Sequence, residues 1–407
     1  MPLWKYWMDR DLNKPLVLII SNFYLPGEKS GGGTRTIVNT VERLSDRYEF
    51  RIITRCHDAG EDKTPYEGIE TGVWYEQGPA KVLYLRERKG LRAVLPALMD
   101  ELGPSLIYAN SLFSDFTIET LKLRRKGAIR DIPFLLAPCG ELSEGALLLK
   151  RAKKRLFLGA AMKMDLYSGL IWKASNETEA REIGALYPKD GIIRVAPDLP
   201  PAALSGELHL AAKPAKKSGA VRLVFLSRFD RKKNLKWILE NLNARGSDVV
   251  LDVYGTVQEK GYLKEFLEIA AGGNHGFRAE FKGAVPHKDV LQTLSGYHFF
   301  VMPTLGENFG HVFLEALSAA CPLLISDRTP WQDLDEQGAG WALALESPEL
   351  WQDALDRCIS MGQKEYEDMS ASARLYAEAY LLDPGLERST VDLLDLAVSA
   401  GEARSAV

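Results

Sequence analysis

The sequence has few cysteines, no long apolar run and no excess of charge of one sign. Its 407 residues include four cysteines, none in a C-x-x-C pair, so we expect reduced thiols in a cytoplasmic protein and no disulfide framework or structural zinc. No stretch approaches the ~20 apolar residues of a membrane helix, and the N-terminus lacks the apolar segment of a signal peptide. We therefore expect any membrane contact to be peripheral.

The charge balance excludes a further class. Lysine and arginine number 51 against 55 acidic residues, a formal net charge of -4, which argues against a globally basic nucleic-acid binder. Hydrophobic residues make up 46% and charged residues 26%, the composition of an ordinary soluble globular protein. At about 150 residues per domain, the length predicts two or three domains.

Short apolar runs alternate with helix-length segments, a rhythm that predicts βαβ units and parallel sheets. The first predicted strands cover 16–21, 50–54, 81–85, 105–109, 133–137, 169–174 and 192–196. The alternation stops near Pro197 and restarts at Val221, and the second set covers 221–227, 249–254, 279–283, 298–302 and 322–326. Two doubly wound domains of similar size follow, with a ligand site expected in the cleft between them.

The domain boundaries follow from the same pattern. We predict an N-terminal Rossmann-like domain over 1–200, a proline- and lysine-rich linker over 201–219, a second Rossmann-like domain over 220–380 and a C-terminal helix over 381–407. The last three helices are predicted at 349–360, 363–379 and 386–398. We expect them to close the back of the second domain.

Two glutamates flank a predicted helix start after the strand at 298–302. Glu307 lies in the loop, and Glu315 lies about one and a half turns into the helix that begins near Gly310. The free N–H groups at that helix start suit sugar hydroxyls or a phosphate, and Gly310 would let a ligand approach closely. The spacing therefore predicts a site for an elongated ligand, with ordinary helix-start and solvent-facing charges as the alternative.

A basic loop at 225–235 joins the first strand of the second domain to a helix. It places Arg228, Arg231, Lys232 and Lys233 ahead of a helix N-terminus. Arginine grips phosphate oxygens in pairs, lysine supplies a compact charge, and the helix end adds its dipole. This arrangement is typical of a diphosphate site, and an exposed basic turn is the alternative.

A glycine-rich loop at 26–34 follows the first strand and opens a helix. It has neither the G-x-G-x-x-G spacing nor a Walker lysine followed by serine or threonine, which argues against dinucleotide binding and NTP hydrolysis. We interpret it as a flexible loop over the cleft, whose adjacent glycines let the backbone approach a substrate, with a plain loop as the alternative.

Together these motifs resemble those of glycosyltransferase family 4, the large retaining family that uses nucleotide-diphospho-sugars on the GT-B fold. The resemblance rests on the E-x7-E region, the Ser-Arg-Phe and Lys-Asn-Leu pieces of the basic loop, the turn at 281–286 and the glycine-rich loop, and it covers most of the chain. It implies an α/β protein with two Rossmann-like domains facing each other across a cleft, an N-terminal acceptor domain, a C-terminal donor-binding domain, and no metal or other cofactor.

The resemblance also implies a role for each residue. Arg228 and Lys233 would hold the donor diphosphate, Glu307 the transferred sugar and Glu315 the ribose hydroxyls. The remaining donor-side residues would be Gly32 and Gly33 at the phosphates, Val285 at the base, and Phe309, Gly310 and His311 with backbone contacts to the sugar. Fixed cations would stabilise the leaving phosphate, which would itself accept the proton of the acceptor.

The implied function is retaining, metal-independent transfer of a sugar from a nucleotide-diphospho-sugar to a saccharide or lipid-linked saccharide, in polysaccharide or lipopolysaccharide assembly at the cell surface. The alternatives are a nucleotide-sugar epimerase or phosphorylase on the same scaffold, and a non-catalytic scaffold or partner subunit. The presence of Arg228, Lys233, Glu307 and Glu315 argues against the scaffold.

The acceptor side departs from the family pattern. Relatives often place a histidine after the strand at 133–137, where this chain has Cys139 and Gly140, and another at the position of Asn110. Asn110, Cys139 and Gly140 would line the acceptor pocket, with Cys139 as a small buried filler in the alternative interpretation.

The densest positive patch consists of Lys150, Arg151, Lys153, Lys154 and Arg155, with leucines on both sides. A basic amphipathic helix favours an anionic surface, so we expect peripheral contact with the inner face of the membrane or with a polyanionic acceptor. A solvated helix face is the alternative, and no nucleic-acid partner is expected.

Overall fold

The computed structural model describes residues 14–148, 151–187, 191–205, 212–273 and 275–405. The chain divides into two compact units. In the described residues, the first unit runs to Ser143 and adds Leu147–Leu199 and the chain from Pro384 onward, while the second comprises Glu144–Ala146 and Pro200–Asp383.

The first unit is built on an eight-stranded sheet. Its strands are β1 (Leu16–Ile20), β2 (Glu49–Arg55), β3 (Trp74–Gln77), β4 (Ala80–Leu85), β5 (Leu106–Asn110), β6 (Phe134–Ala137), β7 (Ile171–Ala174) and β8 (Ile192–Val195). Their order is β3-β4-β2-β1-β5-β6-β7-β8, and only β3 is antiparallel to its neighbour. The five residues of β1, LVLII, are all fully buried, as expected for a parallel strand covered on both faces.

The second unit holds a six-stranded parallel sheet in the order β11-β10-β9-β12-β13-β14. Its strands are β9 (Ala220–Leu226), β10 (Asp248–Tyr254), β11 (Phe277–Gly283), β12 (Phe299–Met302), β13 (Leu323–Ser326) and β14 (Gly340–Leu343). Aliphatic and aromatic side chains from these strands and from the helices form one buried core.

Helices connect the strands in both units. In chain order they are α1 (Gly32–Leu44), α2 (Arg88–Leu102), α3 (Asp115–Arg125), α4 (Glu144–Leu148), α5 (Arg151–Lys163), α6 (Glu177–Leu186), α7 (Lys236–Asn241), α8 (Lys260–Gly272), α9 (Val290–Ser295), α10 (His311–Ser318), α11 (Pro348–Ser360), α12 (Gln363–Leu381) and α13 (Pro384–Ser405). A 3-10 helix at Arg231–Lys233 precedes α7.

Strand order determines where polar residues gather. In the first sheet the order reverses at β1, which pairs with β2 on one side and β5 on the other. In the second it reverses at β9, between β10 and β12. Connections leave such a point in opposite directions, so a crevice opens beyond the carboxyl ends of the strands.

The predicted fold class is confirmed, since both units are α/β with parallel sheets. Two strands were missed. β3 is a short edge strand with one exposed and three half-buried residues, and it pairs across the Gly78-Pro79 turn. β14 consists of Gly-Trp-Ala-Leu, and glycine and alanine are poor strand formers.

The last helix corrects one expectation. α11 and α12 belong to the second unit as predicted, but α13 belongs to the first. There the Tyr48 hydroxyl donates to Asp395 at 2.6 Å, and Arg43 pairs with Glu387 at 3.3 Å. The amphipathic pattern of a helix predicts which of its faces is buried, but it does not identify the unit against which that face packs.

The described part of the predicted linker is packed against the second unit. The buried ammonium of Lys216 donates to the carbonyl oxygen of Met361 at 2.8 Å, and the Gly219 N–H donates to that of Ile359 at 2.9 Å. These bonds attach the chain before β9 to the end of α11.

Candidate functional site

Two loops meet at the carboxyl ends of β9 and β12, and we call them the donor loops: residues 227–235 and 303–310. The strands are neighbours, with Leu223 opposite Phe299. The Leu305 N–H donates to the carbonyl oxygen of Lys232 at 2.8 Å, and the Thr304 hydroxyl donates to the same oxygen at 3.3 Å. The basic loop and the E-x7-E region therefore form one continuous surface.

The central contact of the donor loops is an ion pair between Lys233 and Glu307. The two side chains are only 7% and 16% exposed. Burial raises the pKa of the Glu307 carboxyl, but the cations Lys233, Lys232 and Arg228 lower it by more, so the net shift is downward. Glu307 is therefore held as a carboxylate.

Asp230 organises the basic loop. Its carboxylate accepts from the N–H groups of Lys232 and Lys233 at 3.0 and 3.3 Å, which caps the 3-10 helix. Arg228, 40% exposed, reaches to 4.0 Å of the other Asp230 oxygen. Its guanidinium thus borders the same loop surface while keeping most of its donors available to a ligand.

Gly310 begins helix α10 in a conformation that requires glycine. Its φ of 79° and ψ of 65° are left-handed. A Cβ at this position would overlap the Phe313 ring and lie 3.1 Å from Cγ of Glu307. The glycine therefore permits both the close turn and the placement of Glu307 beside the helix start.

Glu315 lies one turn into α10 and is buried. His287 brings Nδ1 to 3.7 Å of its Oε1, from a short 3-10 helix (His287–Asp289) that follows the turn after β11. In that turn Val285 packs partly against the core while Ala284 is exposed. Glu315 and Val285, 30 residues apart in the sequence, thus lie on elements linked by the His287–Glu315 contact.

Phe309 is a core residue by its side chain. Its ring packs with Trp331 and Tyr380, and its carbonyl oxygen accepts from the Trp331 indole N–H at 2.7 Å. The His311 ring lies against it at 4.9 Å between centroids. Of the predicted backbone contacts to a sugar, the Phe309 carbonyl is therefore already committed to Trp331.

The other predicted residues lie in the first unit, where Asn110 links two of them. Its amide donates to the Gly33 carbonyl oxygen at 2.8 Å, and its own oxygen accepts from the Cys139 thiol at 2.9 Å. A Cβ on Gly33 would lie 3.2 Å from the Asn110 amide nitrogen. Gly33, Asn110 and Cys139 are thus brought together after β1, β5 and β6.

A buried polar network surrounds this cluster, and we call it the polar lattice: Asn110, Cys139, Lys173, Glu179 and Asp198. Lys173 donates to Asp198 at 2.6 Å, and the Glu179 carboxylate accepts from the N–H groups of Gly140 at 2.6 Å and Ser175 at 2.8 Å. Burial lowers the pKa of Lys173, but Asp198 raises it by more. Burial also raises the pKa of the Cys139 thiol, which excludes a reactive thiolate.

The glycine-rich loop and the residue before it make hydrogen bonds to Asp58 and to Tyr84 of β4. The Asp58 carboxylate accepts from the N–H groups of Glu28 and Lys29 at 2.9 and 3.1 Å, and the Tyr84 hydroxyl donates to the Leu25 carbonyl at 2.6 Å. Gly32 is the first residue of α1 and is exposed. Its backbone therefore remains accessible to a ligand.

The basic patch lies on α5, apart from Lys150, which falls outside the described residues. Arg151, Lys153 and Arg155 are exposed, and Lys154 lies over the Phe113 ring at 5.0 Å. Leu156 is 77% exposed on the same helix. Within the described ranges, no helix is long and apolar enough to cross a membrane.

Sequence reasoning missed several residues that the structure brings to the site. Asp58 holds the glycine-rich loop, His287 contacts Glu315, and Gly255 ends β10 so close to β9 that a Cβ would overlap the Ser227 carbonyl oxygen. The Tyr-Gly step at the end of a predicted strand was a usable signal for Gly255. Asp58 and His287 had none, because their partners are distant in the sequence.

Comparisons with known proteins agree with this architecture. Residues 209–376 match the family model Glycosyl transferases group 1. Sucrose-phosphate synthase from Thermosynechococcus elongatus shares 15% identity and a TM-score of 0.73, covering 95% of this chain and 100% of that one. Anabaena HepE in complex with UDP-glucose shares 14% identity and a TM-score of 0.66, covering 93% and 99%.

One curated relative matches by sequence. The GtfA subunit of the UDP-N-acetylglucosamine–peptide N-acetylglucosaminyltransferase of Streptococcus gordonii is 23% identical over 186 residues, 43% of this chain. The match spans 36% of that protein, so the chain covers only about a third of this relative's length. The chain therefore has a GT-B fold and carries a domain of the Glycosyl transferases group 1 family over residues 209–376.

Proposed function

We propose that the chain is a retaining, metal-independent transferase of family 4 that moves a sugar from a nucleotide-diphospho-sugar to a saccharide or lipid-linked saccharide. The observation that carries this proposal is the buried Lys233–Glu307 pair, which joins the two donor loops. A carboxylate held ionised beside several cations suits a substrate that carries a diphosphate at one end and develops positive charge at the sugar.

The donor would lie along the donor loops. Arg228 and Lys233 bind the diphosphate, Glu315 binds the ribose hydroxyls, and Val285 faces the base. Glu307 and the backbone of Phe309, Gly310 and His311 hold the sugar, although the Phe309 carbonyl oxygen already accepts one hydrogen bond from Trp331. The family resemblance also assigns the exposed backbone of Gly32, and the neighbouring Gly33, to the donor phosphates.

The proposed reaction is the front-face route that the family resemblance implies. The bond between the anomeric carbon and the phosphate oxygen breaks, and its electron pair leaves with the diphosphate, where Arg228 and Lys233 stabilise the charge. The acceptor hydroxyl attacks the same face of the sugar, and its proton passes to the departing phosphate oxygen. Glu307 stabilises the positive charge at the anomeric carbon. No protein base is required on this route.

The acceptor would be bound by the first unit. The polar atoms of Asn110 bond Gly33 and Cys139, and the Gly140 N–H donates to Glu179, so these residues would shape the wall of the acceptor pocket rather than bind hydroxyls directly. The exposed cations of α5, followed by the exposed Leu156 on the same helix, favour peripheral contact with the anionic inner face of the membrane. The protein would bind a lipid-linked acceptor at this membrane surface.

The test combines donor binding with transfer. Purified protein is screened by thermal shift against UDP-, GDP- and ADP-sugars, and transfer from the stabilising donor is then measured in the wild type and in E307Q. We expect E307Q to bind the donor and to lose transfer by roughly a thousandfold. The matched control is E365Q, because Glu365 is exposed on α12 and pairs there with Arg357 at 3.8 Å.

Three outcomes would contradict the proposal. Wild-type turnover in E307Q would remove Glu307 from the reaction. A screen in which no nucleotide or nucleotide-sugar shifts the melting temperature would favour the scaffold alternative. A new nucleotide-sugar formed without any acceptor would identify an epimerase.

A further inference from the structure

Three consecutive cations, Arg231, Lys232 and Lys233, form the 3-10 helix of the basic loop. In the sequence these three cations are equivalent. In the structure their side chains point in different directions, because successive side chains of a 3-10 helix are about 120° apart. Their partners therefore show which of the three remains available to a ligand.

Two of the three cations have carboxylate partners. Arg231 turns toward α8, where it pairs with Glu259 at 3.2 Å and with Glu265 at 2.5 Å. Lys233 turns the other way and pairs with Glu307. A phosphate that approached either cation would have to share it with an existing carboxylate.

Lys232 differs from both. Among the described residues, no carboxylate lies within 4.0 Å of its ammonium nitrogen, although its side chain is half-buried. Burial lowers the pKa of Lys232, the Glu307 carboxylate raises it, and Lys233 and Arg228 lower it further. The ammonium thus lies within electrostatic reach of the donor-loop charges without an ion pair.

The backbone of Lys232 fixes this position. Its N–H is capped by Asp230 at 3.0 Å, and its carbonyl oxygen accepts from the Leu305 N–H at 2.8 Å. The residue is therefore held at both ends by the donor loops themselves. The backbone that carries this half-buried side chain is thus already ordered, so binding an anion would cost only the freedom of the side chain.

The local charge balance points to the same residue. Arg228, Lys232 and Lys233 supply three positive charges, and Asp230 and Glu307 supply two negative charges. Lys233 and Glu307 neutralise each other, and Arg228 lies 4.0 Å from Asp230. The surplus positive charge of this cluster therefore resides on Lys232.

We propose that Lys232 binds a phosphate oxygen of the donor directly and supplies the positive charge that Lys233, paired with Glu307, cannot supply alone. This inference rests on the proposed function and adds a residue to it. Three cations then bind the donor diphosphate and differ in their surroundings. Arg228 lies at the exposed edge, Lys233 is paired with Glu307, and Lys232 has no ion pair.

The experiment measures binding of UDP and of inorganic pyrophosphate by calorimetry at low and high NaCl, with the full chain. K232Q should weaken binding of both anions by roughly 10- to 100-fold, the loss of one charge-assisted hydrogen bond. Its binding should also respond less to salt than that of the wild type. K232R, which keeps the charge, should restore most of the affinity. In the transfer assay K232Q should raise the donor KM more than it lowers kcat.

The control is K236Q, which removes a cation that already pairs with Glu265 at 2.8 Å and should bind both anions as the wild type does. Wild-type affinity and salt response in K232Q would overturn the inference and leave the proposed function intact. Failure of the wild type to bind UDP or any nucleotide-sugar would instead overturn the proposed function. Equal losses in K232Q and K232R would show that the side chain acts through packing, which also overturns the inference.

Discussion

The polar residues after the strands of the two units are used in opposite ways. In the first unit the polar lattice is closed, because Asn110 bonds both Gly33 and Cys139, and Lys173 pairs with Asp198. In the second unit the donor loops leave the ammonium of Lys232 without an ion pair among the described residues. We expect a closed network to hold a shape and surplus charge to bind a ligand, so the comparison predicts a structural cluster in the first unit and a binding one in the second.

The largest effect on stability is expected in the polar lattice. K173M removes the cation of a buried ion pair and leaves Asp198 uncompensated, which should lower the free energy of unfolding of the first unit by about 3–5 kcal/mol. Urea denaturation measures this loss, with K163M at an exposed position as the matched control. UDP affinity of the folded variant should equal that of the wild type.

A large loss of UDP affinity in K173M without a loss of stability would break the comparison, since it would make the lattice part of the binding site. A double variant that also replaces Asp198 with leucine should recover stability, because no charge is then left buried without a partner.

A second prediction contrasts the two units by pH. Burial lowers the pKa of His298, in the second unit, from 6.5 to about 4. The unfolded chain therefore binds the extra proton between these values, and the second unit should lose about 3 kcal/mol as pH falls from about 6.5 to 4. The lowered pKa of Glu307 acts in the same direction below its ordinary value of 4.5.

The first unit should respond oppositely over that range. Burial raises the pKa of Glu141 and Glu179 above 4.5, so the folded state binds protons that the unfolded state has released, and acid stabilises this unit. Hydrogen exchange between pH 4.5 and 7, read separately in each unit, measures both slopes. Parallel slopes in the two units would contradict this assignment, and H298Q should flatten only that of the second unit.

The smallest effect is expected at Cys139. C139A removes the donor to the Asn110 oxygen and should cost about 1 kcal/mol, while C139S keeps a donor and should cost less. Thermal unfolding ranks the two variants. If C139S keeps its stability but shifts the acceptor KM by more than about threefold, the thiol faces the acceptor. The polar lattice would then bind the acceptor directly.

Much of the fold was predictable because parallel strands that are buried on both faces consist of consecutive apolar residues. β1 and β12 are such runs, whereas β3 is only half-buried and β14 is built partly of glycine and alanine, which are poor strand formers. The packing partner of α13 was not predictable, since an amphipathic pattern records burial without naming the surface that causes it.

The sequence by itself determined two α/β units and the positions of the polar motifs after their strands, because both depend on local patterns of burial and turn chemistry. Only the tertiary structure decided which charges are paired. Lys233 forms an ion pair with Glu307, 74 residues away in the sequence, and the Asn110 amide forms a hydrogen bond with Gly33, 77 residues away. Lys232, between two paired neighbours, forms no ion pair with a carboxylate in the described chain. The interaction energy of two charges decreases with the distance between them, so ion pairing depends on distances that the strand order sets. These distances cannot be inferred from which residues are neighbours in the sequence.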